Sequence, residues 1–81
     1  MKTKVEFYSV LRDITGAHEI EVNLPDGSPL AVLLGGLFVQ FPKLAEWDEK
    51  LLFAANLDFV DRSHAIQPDE TISIMPPAQG G

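Results

Sequence analysis

The sequence predicts a small α+β domain, a roll of the β-grasp kind in which a mixed sheet packs against one main helix and an extended C-terminal tail follows. Three features indicate this fold. Alternating apolar and polar segments lie near both ends of the chain, an apolar stripe at helical spacing lies between them, and the chain closes on Pro-Pro and then Gly-Gly. With 81 residues, 46% of them hydrophobic, we expect one domain with a single core.

A β-hairpin is predicted at the start of the chain. Residues 4–11 alternate, with Val5 and Phe7 on one face and charged residues or Tyr8 on the other, so they read as a strand. Gly16 marks a turn, and residues 18–24 alternate again as a second strand.

The main helix is predicted over residues 29–41. Ser28 is placed as the N-cap and Pro29 as the first helical residue, and Pro42 requires the helix to end near Phe41. The apolar stripe consists of Leu30, Leu33, Leu34, Leu37, Phe38 and Phe41. The opposite face carries Gly35 and Gly36 and no charge, so either another segment covers it or it is a contact surface.

The second half of the chain predicts the remaining strands. Residues 43–50 are a polar connection with room for a helical turn, and 51–56 read as a buried strand ending in a turn at Asn56. A short strand at 57–60, a loop with a β-turn at 65–70 and an alternating strand at 71–75 follow. One helix is too few for a doubly wound sheet, and hairpins at both ends imply a mixed sheet with the helix on one face.

Composition excludes several classes of function. A net charge of −6, from 6 basic and 12 acidic residues, argues against nucleic-acid binding and fits either solubility or a partner with a basic surface. With no cysteine and only His18 and His64, neither a thiolate zinc site nor a histidine-rich metal site is expected. No membrane span or signal peptide is visible, so we expect a cytoplasmic protein.

The sequence shows no catalytic constellation. Its serines lack the flanks of a nucleophile elbow, and no phosphate-loop pattern surrounds Gly35-Gly36. Both histidines are interpreted as solvated side chains, and the acidic run at 46–49 as a solvated turn.

The C-terminus is the most informative segment. Pro76 and Pro77 hold the chain extended, and Gly80 and Gly81 have no side chain, so the end is thin enough to enter a narrow channel of another protein. We therefore divide the chain into a β-grasp domain over residues 1–75 and a flexible tail over 76–81. An ordinary frayed terminus is the alternative.

These residues carry a resemblance to a known family. The segments 53–56 (FAAN) and 69–77 (DETISIMPP), the closing Gly80-Gly81 and the opening 5–13 (VEFYSVLRD) resemble the small subunit of molybdopterin synthase (MoaD-like), one of the ubiquitin-like sulfur carriers. The family usually has an aromatic residue before Pro-Pro, where this chain has Met75.

The resemblance implies a carrier cycle with no cofactor bound to the chain. An E1-like adenylyltransferase would use ATP to adenylate the Gly81 carboxylate, and sulfur attack would give a Gly81 thiocarboxylate. Docked in the large subunit of the synthase, the tail would deliver sulfur to a cyclic pyranopterin precursor. The acid–base groups would then belong to the partners.

A partner-binding surface is predicted beside the tail. Alternation directs Tyr8, Phe59 and Met75 away from the core, and a cluster of exposed apolar side chains commonly marks a partner surface. The resembled family docks through such a sheet face. Phe59 in the core is the alternative, and Arg12 is placed as a contact to the tail or the partner.

Three other functions are compatible with the sequence. The chain could carry sulfur for another pathway, such as the thiamin thiazole or a tungsten cofactor, although the thiamin relatives are generally shorter and lack Pro-Pro. It could be a protein modifier joined to lysines through Gly81, or a binding module whose tail is inert.

Overall fold

The computed structural model describes residues 1–77, which form one five-stranded sheet with helices on one side. The strands are β1 (Lys2–Phe7), β2 (Glu19–Asn23), β3 (Leu52–Ala55), β4 (Asp58–Val60) and β5 (Thr71–Met75). The helices are α1 (Val10–Thr15), α2 (Leu30–Gln40) and α3 (Pro42–Ala45), and a single 3₁₀ turn spans Asp48–Lys50.

The sheet is mixed, as predicted, with strand order β2-β1-β5-β3-β4. The hairpin β1–β2 and the hairpin β3–β4 are antiparallel and lie at opposite edges. Strand β5 lies between them, parallel to β1 and antiparallel to β3. The last strand of the described chain is therefore the central one, hydrogen-bonded on both sides.

The core lies between the inner face of the sheet and the apolar stripe of α2. The strands contribute Val5, Phe7, Phe53, Ala55, Ile72 and Ile74, and α2 contributes Leu30, Leu33, Leu34 and Leu37, all of them buried. Phe7 and Phe41 meet edge to face, with ring centroids 6.1 Å apart. The predicted period of 2 in the strands and of 3.6 in the helix thus place these residues on the sheet face and the helix face that pack together.

The first predicted strand is too long. Residues 4–11 were expected to be extended, but β1 ends at Phe7 and α1 begins at Val10. Between them Ser9 has φ 56° and ψ −134°, and the Leu11 N–H donates to the Tyr8 carbonyl over 3.1 Å. This tight turn ends the extended segment and is followed by Leu11 of α1, which lies in the core and is 0% exposed.

The start of α2 also differs from the prediction. Pro29 is the cap residue rather than the first helical one, and the Ser28 hydroxyl donates to the Pro25 carbonyl over 2.6 Å instead of capping the helix. The free N–H groups of Leu30 and Ala31 donate to the carbonyls of His64 and Arg62, at 2.9 and 3.0 Å. A distant loop therefore caps this helix. Its end, next to Pro42, is as predicted.

The face of α2 opposite the core is open to solvent. Of the two explanations, coverage by another segment is wrong for the described residues, because a Cβ added at Gly35 or Gly36 would meet nothing within 4 Å. Val32 and Val39 on the same face are exposed.

Candidate interaction face and tail exit

An apolar surface, which we call the outer-face patch, lies on the side of the sheet away from the helices. It consists of Tyr8, Leu52, Phe59 and Met75, together with Ala54, which lies on the same face but is only 8% exposed. The strand register brings these residues together: Leu52 pairs with Met75 across β3–β5, and Ala54 pairs with Phe59 across β3–β4. Tyr8 follows β1, and its N–H donates to the Ile74 carbonyl over 3.2 Å, which places it beside Met75.

The exposure of the patch agrees with the prediction made from alternation. Phe59 is 74% exposed, so it is not a core residue, and Tyr8 is 37% exposed. Met75 is partly buried. The structure therefore brings the three predicted side chains to one face, while their contact with a partner stays a prediction.

Sequence reasoning missed Leu52 as a member of this patch. Residues 51–56 were expected to be wholly buried, but Leu52 is 42% exposed. Its neighbours Leu51 and Phe53 point inward, at 7% and 5% exposure. Alternation along a strand places Leu52 on the face opposite Leu51 and Phe53. Because residues 51–55 are all apolar, the sequence did not show which of them face outward.

Arg12 borders the patch on α1. Its Nε donates to the Phe7 carbonyl over 3.0 Å, and its guanidinium carbon lies 5.7 Å from the centroid of the Tyr8 ring, within cation–π range. The Tyr8 hydroxyl donates to Glu6 Oε2 over 3.1 Å. These contacts hold a cation and a phenol ring in a fixed arrangement at the end of β1.

The tail leaves the domain next to this patch. Because β5 is the central strand, the chain after Met75 emerges between Tyr8 on one side and Leu52 on the other. Pro76 and Pro77 follow and are partly buried. Gly80 and Gly81 lie outside the described residues, and the division into a domain over 1–75 and a tail over 76–81 stays a prediction.

An open groove of about 630 Å³ adjoins the patch where β3 begins and β4 ends. Its lining is Leu51, Leu52, Phe53, Phe59, Val60, Asp61, Arg62 and Ser63. The Arg62 guanidinium lies 5.3 Å from the Phe53 ring centroid and pairs with Asp48 Oδ1 at 2.5 Å. Five of the eight lining side chains are apolar, so the groove suits an apolar ligand group.

The two histidines have different surroundings. His18 is exposed at the start of β2, whereas His64 was wrongly expected to be solvated and is partly buried, with Nε2 2.8 Å from Glu70 Oε1. Burial opposes ionisation of Glu70, but hydrogen bonds from the Gln67 N–H and from His64 outweigh it and lower the pKa of this carboxyl. The pair fastens the loop that caps α2.

Neither a metal centre nor a membrane span appears in the described part of the chain. Within residues 1–77 no three His, Asp or Glu side chains are arranged to hold a metal ion. No helix over the same residues is long and apolar enough to cross a bilayer.

Solved structures of low sequence identity share this fold. The putative molybdopterin converting factor subunit 1 of Pyrococcus furiosus has a TM-score of 0.85 and 23% identity, over 96% of this chain and 99% of that chain. The small archaeal modifier protein 1 of H. volcanii gives 0.83 and 14%, over 95% and 98%. A complex of subunits 1 and 2 of the molybdopterin-converting factor from Helicobacter pylori gives 0.71 and 21%, over 100% of both chains. The predicted ubiquitin-like β-grasp fold is confirmed.

Sequence comparison extends the likeness to the whole chain. A molybdopterin synthase sulfur carrier subunit from Arabidopsis thaliana is 28% identical over 81 residues, which are 100% of this chain and 84% of the relative. The sequence model of the ThiS family matches residues 5–81 and so includes the second half of β1, the other four strands, the outer-face patch and the Gly-Gly end. The chain belongs to the ThiS family.

Proposed function

We propose that this protein is the sulfur-carrying small subunit of a molybdopterin synthase, which delivers sulfur as a thiocarboxylate at Gly81. One observation supports this most directly: the central strand β5 leads into the Pro-Pro and Gly-Gly tail between two exposed apolar side chains, Tyr8 and Leu52. The exposed apolar face and the start of the tail thereby lie next to each other. The Arabidopsis relative is named as such a carrier subunit.

The chemistry resides in the carboxylate of Gly81. An E1-like adenylyltransferase would join this carboxylate to the α-phosphate of ATP with release of pyrophosphate. The resulting acyl adenylate has a good leaving group, so hydrosulfide from a sulfur donor displaces AMP and leaves a thiocarboxylate. Glycine suits this position because no Cβ obstructs the approach of the activating site.

The large subunit would then accept the charged tail and bind the pyranopterin precursor. In the Helicobacter pylori structure, subunits 1 and 2 of the molybdopterin-converting factor form a complex. By analogy, the outer-face patch of this chain docks on its own large subunit and the tail reaches that subunit's active site.

Intact mass measurement tests this proposal. The untagged chain is co-expressed with a candidate activating enzyme and a sulfur donor, and we expect one oxygen at the C-terminus to be replaced by sulfur. Deletion of Gly81, or one residue added after it, should abolish the change and leave the fold intact. Gln79→Ala, which keeps the tail length and its end, is the matched control. Sulfur gain by the Gly81 deletion would refute the assignment of the tail.

A second candidate function is protein modification. It is favoured by the fold shared with the small archaeal modifier protein 1 of H. volcanii. The same experiment separates the two functions, because a modifier yields high-mass conjugates to lysine. A thiocarboxylate that supplies thiazole synthesis and fails with the pyranopterin precursor would keep the carrier function and change its pathway. An unmodified chain in the presence of a competent enzyme would indicate an inert module.

A further inference from the structure

The groove beside β4 has features that the carrier cycle does not require. Its apolar lining includes Leu52 and Phe59, which also belong to the outer-face patch. Since Leu52 pairs with Met75, the groove lies at the same end of the sheet as the tail. A protein that receives the tail and covers the patch therefore passes directly over this groove.

The strand beside the groove has a free edge. Within residues 1–77 nothing pairs with the outer side of β4. Ala55 and Asp58 flank the two-residue turn at Asn56-Leu57 and form the hydrogen-bonded pair of the hairpin. Alternation then directs the N–H and C=O of Phe59 outward. An unpaired peptide group next to an apolar groove is the arrangement to which an extended segment adds as a further strand.

The charges around the groove are acidic. Arg62 is neutralised by its ion pair with Asp48. Asp61 accepts hydrogen bonds from the Ser63 hydroxyl and from the Ser63 N–H at 2.8 Å, and these bonds lower the pKa of its carboxyl. With exposed Asp58 at the other end of β4, the free edge is flanked by two carboxylates. A segment with a basic residue complements this edge, whereas an acidic one is repelled.

We propose that an extended segment of the synthase large subunit, carrying an apolar residue next to a lysine or arginine, pairs with the free edge of β4 and fills the groove. The occupant is a basic partner rather than a second copy of the chain, because a chain of net charge −6 would bring more acidic groups to an acidic edge. This inference rests on the proposed function, since it takes the large subunit as the partner.

The test uses the full chain and the large subunit of the same organism. Asp61→Asn keeps an acceptor for Ser63 and removes one charge. Glu21→Gln removes the same charge from β2, the strand at the opposite edge. We expect Asp61→Asn to weaken the complex roughly threefold at low salt and less at high salt, as for a rim ion pair, and Glu21→Gln to leave it unchanged. Amide hydrogen exchange at Phe59 should slow in the complex.

Each outcome decides the question. If the complex forms and sulfur is transferred, but Asp61→Asn behaves like Glu21→Gln and the Phe59 amide exchanges as before, the groove proposal is wrong and the carrier function stands. If hydrogen exchange at the Phe59 amide of the free chain slows as the protein concentration rises, a second copy of the chain occupies the edge and the proposal is wrong. Absence of any complex with the large subunit would remove the proposed function and this inference together.

Discussion

Phe59→Ala should weaken docking more than it weakens the fold. Phe59 is 74% exposed, and a phenylalanine presents about 200 Å² of surface, so about 150 Å² is available to a partner and about 50 Å² is covered in the free chain. At about 25 cal/mol per Å² these areas correspond to nearly 4 and about 1 kcal/mol. Alanine retains part of the contact, so we expect a loss of about 2 kcal/mol in binding, or roughly 30-fold in Kd.

Two measurements on the same samples check this expectation. Calorimetric titration with the large subunit gives Kd, and denaturant unfolding gives the free energy of unfolding. Leu57→Ala is the matched control, because Leu57 is 97% exposed at the tip of the β3–β4 turn and lies outside the patch. Equal Kd values for the two variants would refute the docking role of Phe59. A loss above about 3 kcal/mol in unfolding free energy would mean that Phe59 belongs to the core.

Three further predictions concern the domain itself. Ser9→Gly should stabilise the fold by about 1 kcal/mol in denaturant unfolding, because φ 56° strains any residue with a Cβ; lower stability would show that the Ser9 turn is not strained. Thr3→Val should stabilise it by a similar amount, since the Thr3 hydroxyl is buried without a hydrogen-bond partner, and destabilisation would reveal an unseen partner. Burial raises the pKa of Glu70, but the hydrogen bonds from Gln67 and His64 lower it by more, so the net shift is downward. The ionised carboxylate therefore stabilises the fold above about pH 4.5, and this stabilisation is lost as the pH falls through the lowered pKa. Glu70→Gln should therefore be less stable than wild type at neutral pH and converge with it in acid, and a difference that does not change with pH would contradict this.

The parts of the fold that the sequence predicted are those with a repeating pattern. The helix stripe from Leu30 to Leu37 and the alternation in β2 and β5 extend over enough residues for their periods to be recognised. The six residues of α1 are too few to show a helical period, and the alternation of β1 continues into them by chance. The turn at Ser9 carries none of the usual glycine or asparagine signals, so it could not be foreseen.

The loop that caps α2 illustrates a second limit. Ser28 next to Pro29 is a sound local signal for a helix start, and a local rule assigns the free N–H groups to the serine hydroxyl. In the structure His64 and Arg62 supply carbonyls from more than thirty positions away in the chain. A contact of this kind depends on the sheet bringing distant segments together, and no local pattern reports it.

The position of the tail follows from the order of the strands, and this order limits what the partner can do. Residues 76–81 can span at most about 20 Å when fully extended, so the reacting centre of any partner must lie within that distance of Met75. Strand β5 is held by β1 and β3, so the root of the tail cannot move without breaking the sheet. A partner that covers the outer-face patch would therefore be brought within reach of Gly81 when it docks. Tight binding at the patch would raise the effective concentration of the tail at the active site of the partner. On the proposed function, the exposed apolar residues next to the last strand would serve docking of the carrier, although they add little to its own stability.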